Sequence, residues 1–585
     1  MEVITTSGPV RGFIDTHPLS KDSTVHLPPG SQKPIKKWLG IPYAKCQRWT
    51  YPEEPEHWEE ARECYDFGPI PPQNVSGLET IWDKSGIITR RYPQSDTECL
   101  NLNVFCPSQA SAIHSLPSSS LHRLTFTSQE GKKLPVMVWI YGGSFRDGNS
   151  AQTGIYDPTD LLRHFPDVIV VTGNYRVNVL GFICHDDLRE LNAERQTGNY
   201  GIADQQMMLR WVKNNIERFG GDVDNITLFG ESAGAVSVAI HMTLEKSSGF
   251  KRAILQSGTA DTIPPGDNSH VWGELVRYCG IDESLPPLQK IEAMRKIPNS
   301  KLMEAVENNT HWKYVPSLGH IIPLSPAKQI SAGYINSDIT NVILGCNTDE
   351  GSLFGRGYIV DLTDPVKYAT LLNTIPGIAR EHVRQAYPGL PGDKTTPEGE
   401  KAAYKAEADL ISDVMFIGPA IAAARNNATV RLYHFDHLCG WLKQSIEDVN
   451  RPHLGIMHAS EIASVFLHTP CFDESRDAQG KDWKISYDMA KRWIQFAVNG
   501  EPQAWPIYNG RGGKVMTFRE SKGEVEGDQM FETANALDEE EEREVNMQLW
   551  HDIYNAKNGR LTDQLYFAAK MLSLTYLPSW ITGKK

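Results

Sequence analysis

No apolar run in this chain is long enough to span a bilayer. Its first residues, Met1-Glu2-Val3-Ile4, carry neither a basic cluster nor a sustained apolar stretch, so neither a membrane span nor a secretory leader is expected. A cationic surplus is missing too: the net charge of −14 repels phosphates and argues against a nucleic-acid partner. The nine cysteines follow neither a disulfide framework nor a zinc-ligand spacing, so buried thiols and no metal are expected. There is no fixed-period repeat, no Walker sequence and no dinucleotide fingerprint, hence no indicated cofactor. The sequons at Asn74, Asn225, Asn308 and Asn427 are expected to stay unmodified in a chain that works in the cytoplasm.

What is present is ample core, with 40% hydrophobic residues and 14 tryptophans. At 585 residues the length suggests several domains, but no clean linker divides the chain, so a single unit over 1–585 is expected. Apolar, β-rich runs at 136–140, 168–172, 225–229, 342–344 and 432–435 alternate with helical or irregular stretches. That order predicts an α/β fold with a largely parallel sheet flanked by helices. Residues 483–498 carry Ile485, Met489, Trp493, Phe496 and Ala497 on one helical face, with Asn499-Gly500 as the stop. Polar segments 20–33 and 107–133 read as surface loops, and the acidic run 538–542 as the exposed start of a helix. The apolar stretch 561–580 is expected to dock on the body or on a second copy, the route to a homo-oligomer.

One short segment concentrates chemistry. Leu228-Phe229-Gly230-Glu231-Ser232-Ala233-Gly234 sets Ser232 between two glycines directly after an apolar run. This is a nucleophile-elbow pattern: a serine on a sharp strand-to-helix turn needs small neighbours, because a Cβ at Gly230 or Gly234 would meet adjacent backbone. Met207, Met208, Trp211, Val212, Ile216 and Phe219 predict a helix ending at Gly220-Gly221. A strand over 225–229 and a buried helix through Ala235, Val236, Val238, Ala239 and Ile240 complete the required context.

A serine hydroxyl needs a base, usually a histidine held by a carboxylate. After the strand at 342–344 comes Asp349-Glu350-Gly351, and after that at 432–435 comes Gly455-Ile456-Met457-His458-Ala459. Spacing leaves Asp349 open as a rival to Glu350, and His453 and His468 as rivals to His458. The strand at 136–140 runs into Tyr141-Gly142-Gly143-Ser144-Phe145, whose glycine-rich backbone can aim N–H groups at a developing negative charge together with the N–H of Ala233.

Together with Gly40-Ile41-Pro42-Tyr43-Ala44, Cys99 to Val104, Asn174-Tyr175-Arg176, Gly198-Asn199-Tyr200-Gly201, Asp204-Gln205, Phe219-Gly220-Gly221-Asp222 and Gln256-Ser257-Gly258, these motifs span nearly the whole chain. By them it resembles the type-B carboxylesterases, the α/β-hydrolase group that includes cholinesterases and certain fungal lipases. The resemblance implies a large, mostly parallel sheet with insertions forming a gorge. It makes Ser232, Glu350 and His458 the catalytic triad and Gly143, Ser144 and Ala233 the oxyanion donors, and it settles Glu350 against Asp349. Glu231 and Ser257 match a buried polar network behind the triad, and Arg48 with Glu98 looks like a family ion pair.

The chain also departs from that family. Where secreted members carry a cysteine that pairs with the one matching Cys99, this chain has Pro71; Cys64 is a nearby substitute, and a reduced intracellular state is the simpler explanation. The loop from Pro71 to Cys99 often shapes the gorge, so specificity is not carried over, including any role for Trp82. Ser144 replaces a third glycine and is expected to restrict crowded alcohol groups, and Ala459 replaces the usual glycine after the histidine. The expected activity is hydrolysis of a small or medium apolar ester through an acyl-enzyme. Acyl transfer or lactone processing in natural-product metabolism is the second enzymatic reading. A noncatalytic, cholinesterase-like interaction protein is the alternative from another class.

Overall fold

The structure is a computed structural model that describes residues 1–16, 33–84, 90–108, 133–151, 154–244, 249–355, 362–374, 380, 384, 387, 396–451, 453–472, 477, 480–509, 514–520 and 533–535. The acidic run at 538–542, the apolar stretch at 561–580 and most of the two polar segments lie outside the described residues.

Three short strands, β1 (Glu2–Ile4), β2 (Pro9–Arg11) and β5 (Arg62–Glu63), make a small sheet. The main sheet has eleven: β3 (Phe13–Asp15), β4 (Ile35–Pro42), β6 (Asn101–Pro107), β7 (Leu134–Ile140), β8 (Ile169–Gly173), β9 (Gly221–Glu231), β10 (Arg252–Gln256), β11 (Asn341–Asn347), β12 (Val430–Phe435), β13 (Lys514–Phe518) and β14 (Thr533–Asn535). Their order is β14-β13-β12-β11-β10-β9-β7-β8-β6-β4-β3. From β13 to β8 every neighbour is parallel. The pairings β8–β6, β6–β4, β4–β3 and β13–β14 are antiparallel. Central strands such as β7 and β8 are almost wholly buried, as a sheet covered on both faces requires.

All five strand expectations correspond to observed strands. The sequence reading did not reach β10, whose apolar run is only Ala253-Ile254-Leu255, nor β4 and β6, where lysines and asparagines interrupt the hydrophobic pattern yet are themselves buried. The predicted helix before the elbow is Tyr200–Asn215. Its last stretch tightens into a 3-10 turn, Ile216–Phe219, closed by Gly220 in the left-handed region at φ 93°. The helix Lys481–Asn499 ends at Gly500, also left-handed at φ 82°.

Register decides where chemistry gathers. Gln256 on β10 lies opposite Glu231 on β9 and Gly345 on β11. The ends of these strands therefore fall together along the carboxyl edge of the sheet, where open α/β sheets place their ligands.

Candidate active site

Strand β9 delivers Ser232 directly into the helix Ala233–Thr243. Ser232 holds φ 55° and ψ −124°, a conformation costly for a residue with a side chain and the strained turn that an elbow needs. The tight glycines follow: a Cβ on Gly234 would stand 2.0 Å from the Ile140 carbonyl oxygen, and one on Gly230 2.7 Å from the same atom. The serine N–H is anchored on the Gln256 carbonyl at 2.8 Å.

Glu350 follows β11 on a 3-10 turn, Glu350–Leu353, and is fully buried. Its Oε1 accepts the Asn347 N–H at 2.7 Å, which aims Oε2 at His458 Nδ1, 2.5 Å away. The rivals have other work. Asp349 accepts the Ile456 N–H at 3.0 Å and so shapes the histidine loop from outside. His453 packs on the Tyr404 ring, 4.0 Å between centroids, and His468 borders Gly154.

The other imidazole nitrogen, Nε2, lies 3.0 Å from Glu231 Oε1, without hydrogen-bond alignment. Ser232 is the next residue, but no hydrogen bond joins its hydroxyl to the imidazole; catalytic hydrogen bonds of this kind commonly tighten only in the substrate complex. Burial favours neutral imidazole, yet the carboxylates of Glu231 and Glu350 outweigh it and push His458 up to about 9. Burial likewise pushes Glu231 up to about 8, against the pull of His458. The rings of Phe416 and Phe354 sit 4.8 and 5.4 Å from the imidazole and shield it.

The turn after β7 closes the site. A Cβ on Gly142 would stand 2.6 Å from Glu231 Oε2 and 2.9 Å from the Ser232 Cβ, so glycine is needed for this approach. Gly143 at φ 101°, Ser144 at 55° and Phe145 at 56° are left-handed in succession. The N–H groups of Gly143, Ser144 and Ala233 donate to no acceptor among the described residues.

Several sequence assignments need revision. Arg48 pairs with Asp96, Nε to Oδ2 at 2.5 Å, and not with Glu98, which is exposed. Two carbonyls and Asn299 take the other guanidinium donors, a geometry that two residues' shift along a loop puts out of reach of spacing arguments. Cys99 has Cys46 as its thiol neighbour, not Cys64. Ser257 is fully buried at φ 51°, but among the described residues its hydroxyl makes no hydrogen bond and so does not connect to Glu231. Glu461 was missed: its carboxylate accepts Asn347 Nδ2 at 2.7 Å and Gln256 Nε2 at 3.1 Å, buried beneath the triad. It lies three residues after His458 on a turn that precedes the helix Ile462–Val465, so no helical period marks it in the sequence.

A model of the carboxylesterase family matches residues 2–538. The chain is 29% identical over 493 residues to the para-nitrobenzyl esterase of Bacillus subtilis (strain 168), covering 81% of this chain and 89% of that protein. It is 28% identical over 519 residues to the cocaine esterase of Homo sapiens, covering 83% and 84% respectively. A solved PNB esterase structure aligns with a TM-score of 0.67 at 26% identity, over 93% of this chain and 99% of that one.

Proposed function

The chain belongs to the carboxylesterase family and is a serine ester hydrolase; from that premise we propose that Ser232, Glu350 and His458 carry the reaction on a small or medium apolar ester. The observation that carries this assignment is the 2.5 Å contact of His458 Nδ1 with buried Glu350, beside a serine strained onto an elbow. Substrate binding brings Ser232 Oγ and His458 Nε2 together. The imidazole takes the hydroxyl proton as Oγ attacks the ester carbonyl, and Glu350 stabilises the imidazolium. The N–H groups of Gly143, Ser144 and Ala233 receive the oxyanion, each worth about 3 kcal/mol at comparable sites. His458 then protonates the departing alcohol, and water, deprotonated by the same imidazole, releases the acid from the acyl-serine.

The enzyme works as one α/β-hydrolase unit in a reducing compartment, a reading supported by Pro71 at the family cysteine position. Stoichiometric phosphonylation by an organophosphonate tests the nucleophile. Wild type is labelled at Ser232 and loses ester hydrolysis; folded Ser232→Ala is neither labelled nor active. Labelling that persists at another residue in this variant contradicts the assignment.

A further inference from the structure

Asp147 stands on the oxyanion turn with no partner for its carboxylate among the described residues. Its N–H bonds back to the Gly143 carbonyl at 3.1 Å, and its Oδ1 lies 2.9 Å from where a Cβ on Gly143 would stand. The next residue, Gly148, is clamped by Gln73, which accepts its N–H at 2.7 Å and donates to its carbonyl at 2.9 Å. The loop therefore presents the carboxylate rigidly. Yet among the described residues that half-buried carboxylate accepts no hydrogen bond and joins no ion pair. The adjacent Arg146 turns its guanidinium to the Val306 carbonyl at 3.4 Å, and the like-charged neighbour Glu79 is tied to Arg91 at 2.8 Å. Burial pushes the Asp147 carboxyl up to about 7, with Arg146 opposing and Glu79 adding to the rise.

An ionised carboxylate there costs free energy and also opposes the negative charge that forms on the oxyanion. A cation arriving with the substrate removes both penalties. On the reading of Ser232 as nucleophile, we propose that Asp147 is a specificity residue that receives an alkylammonium group carried by the ester. The ammonium donates to the carboxylate in a charge-assisted bond.

The test compares kcat/KM for esters ending in a primary ammonium with neutral isosteres ending in methyl, one series varied on the alcohol arm and one on the acyl arm. Wild type is expected to favour the ammonium ester by about tenfold or more in one series, which identifies the arm that reaches Asp147. In Asp147→Asn the ratio falls to near one, and Asp147→Glu restores part of it. A wild-type ratio near one in both series, or a ratio that Asp147→Asn leaves unchanged, overturns the proposal. A readout needing no variant is the rate of wild-type phosphonylation, which butylammonium slows and neutral pentanol slows less; equal effects count against Asp147. An enzyme that hydrolyses these esters and is labelled at Ser232 but shows no ammonium preference refutes Asp147 alone, whereas failure of labelling overturns the nucleophile and this proposal together.

Discussion

At the scale of single residues, the site is governed by carboxylates crowded round one imidazole. Catalysis requires neutral His458, so with this group at about 9 the value of kcat/KM for a neutral ester should climb with pH through that region. Glu231→Gln removes the charge 3.0 Å from Nε2 and leaves mainly Glu350 to oppose burial; the rising limb then moves to lower pH, and a profile that stays in place or moves upward contradicts the charge argument. Ser144 sits at φ 55° and is exposed, so it bears left-handed strain without compensating burial. Ser144→Gly is expected to raise stability by roughly 0.5–1 kcal/mol, the relief of about 1–2 less the added entropy of glycine, read by thermal unfolding. The same variant should improve esters of tertiary alcohols relative to primary ones in a competition assay, because it removes bulk beside the anion pocket.

At the scale of elements, the elbow works because a strand, a turn and a helix pack closer than side chains permit. Gly234→Ala drives a methyl to within 2.0 Å of the Ile140 oxygen. Neither β7 nor the helix Ala233–Thr243 can retreat without opening the sheet. The expected cost is about 1–3 kcal/mol or more, together with a slower reaction of Ser232 with organophosphonate; unfolding and labelling rates equal to wild type would show that the contact relaxes freely. Other elements hold the acid and base. Asn347, the last residue of β11, gives its backbone N–H to Glu350 and its side-chain amide to Glu461, so one strand end orients two of the buried carboxylates.

Across the whole molecule, a buried ion pair fastens the segments that converge on the sheet's antiparallel side. Arg176 and Asp204 are fully buried and meet at 2.7 Å, while the same guanidinium donates to the carbonyls of Gln47 and Thr50. It thus joins the connection after β8, the helix Tyr200–Asn215 and the loop after β4. Asp204→Asn keeps the shape but leaves the arginine charge without its counterpart, an expected loss of about 3–5 kcal/mol in denaturant unfolding. A loss below about 1 kcal/mol would mean that the carbonyls alone satisfy Arg176.

By itself the sequence determined what depends on near neighbours along the chain. The strand runs, the helix stops at Gly220 and Gly500 and the elbow round Ser232 were all legible, because backbone strain and hydrophobic period act over a few residues. Which groups meet across the fold was decided by the tertiary structure. Glu350 and His458 are 108 residues apart, and without the family likeness their spacing alone left Asp349, His453 and His468 in contention until sheet register and loop packing sent each elsewhere. The partner of Arg48, the phenylalanines over the imidazole, the buried Glu461 and the solitary carboxylate of Asp147 carry no local signature either. Electrostatics and packing act through space, and only the folded chain sets those distances.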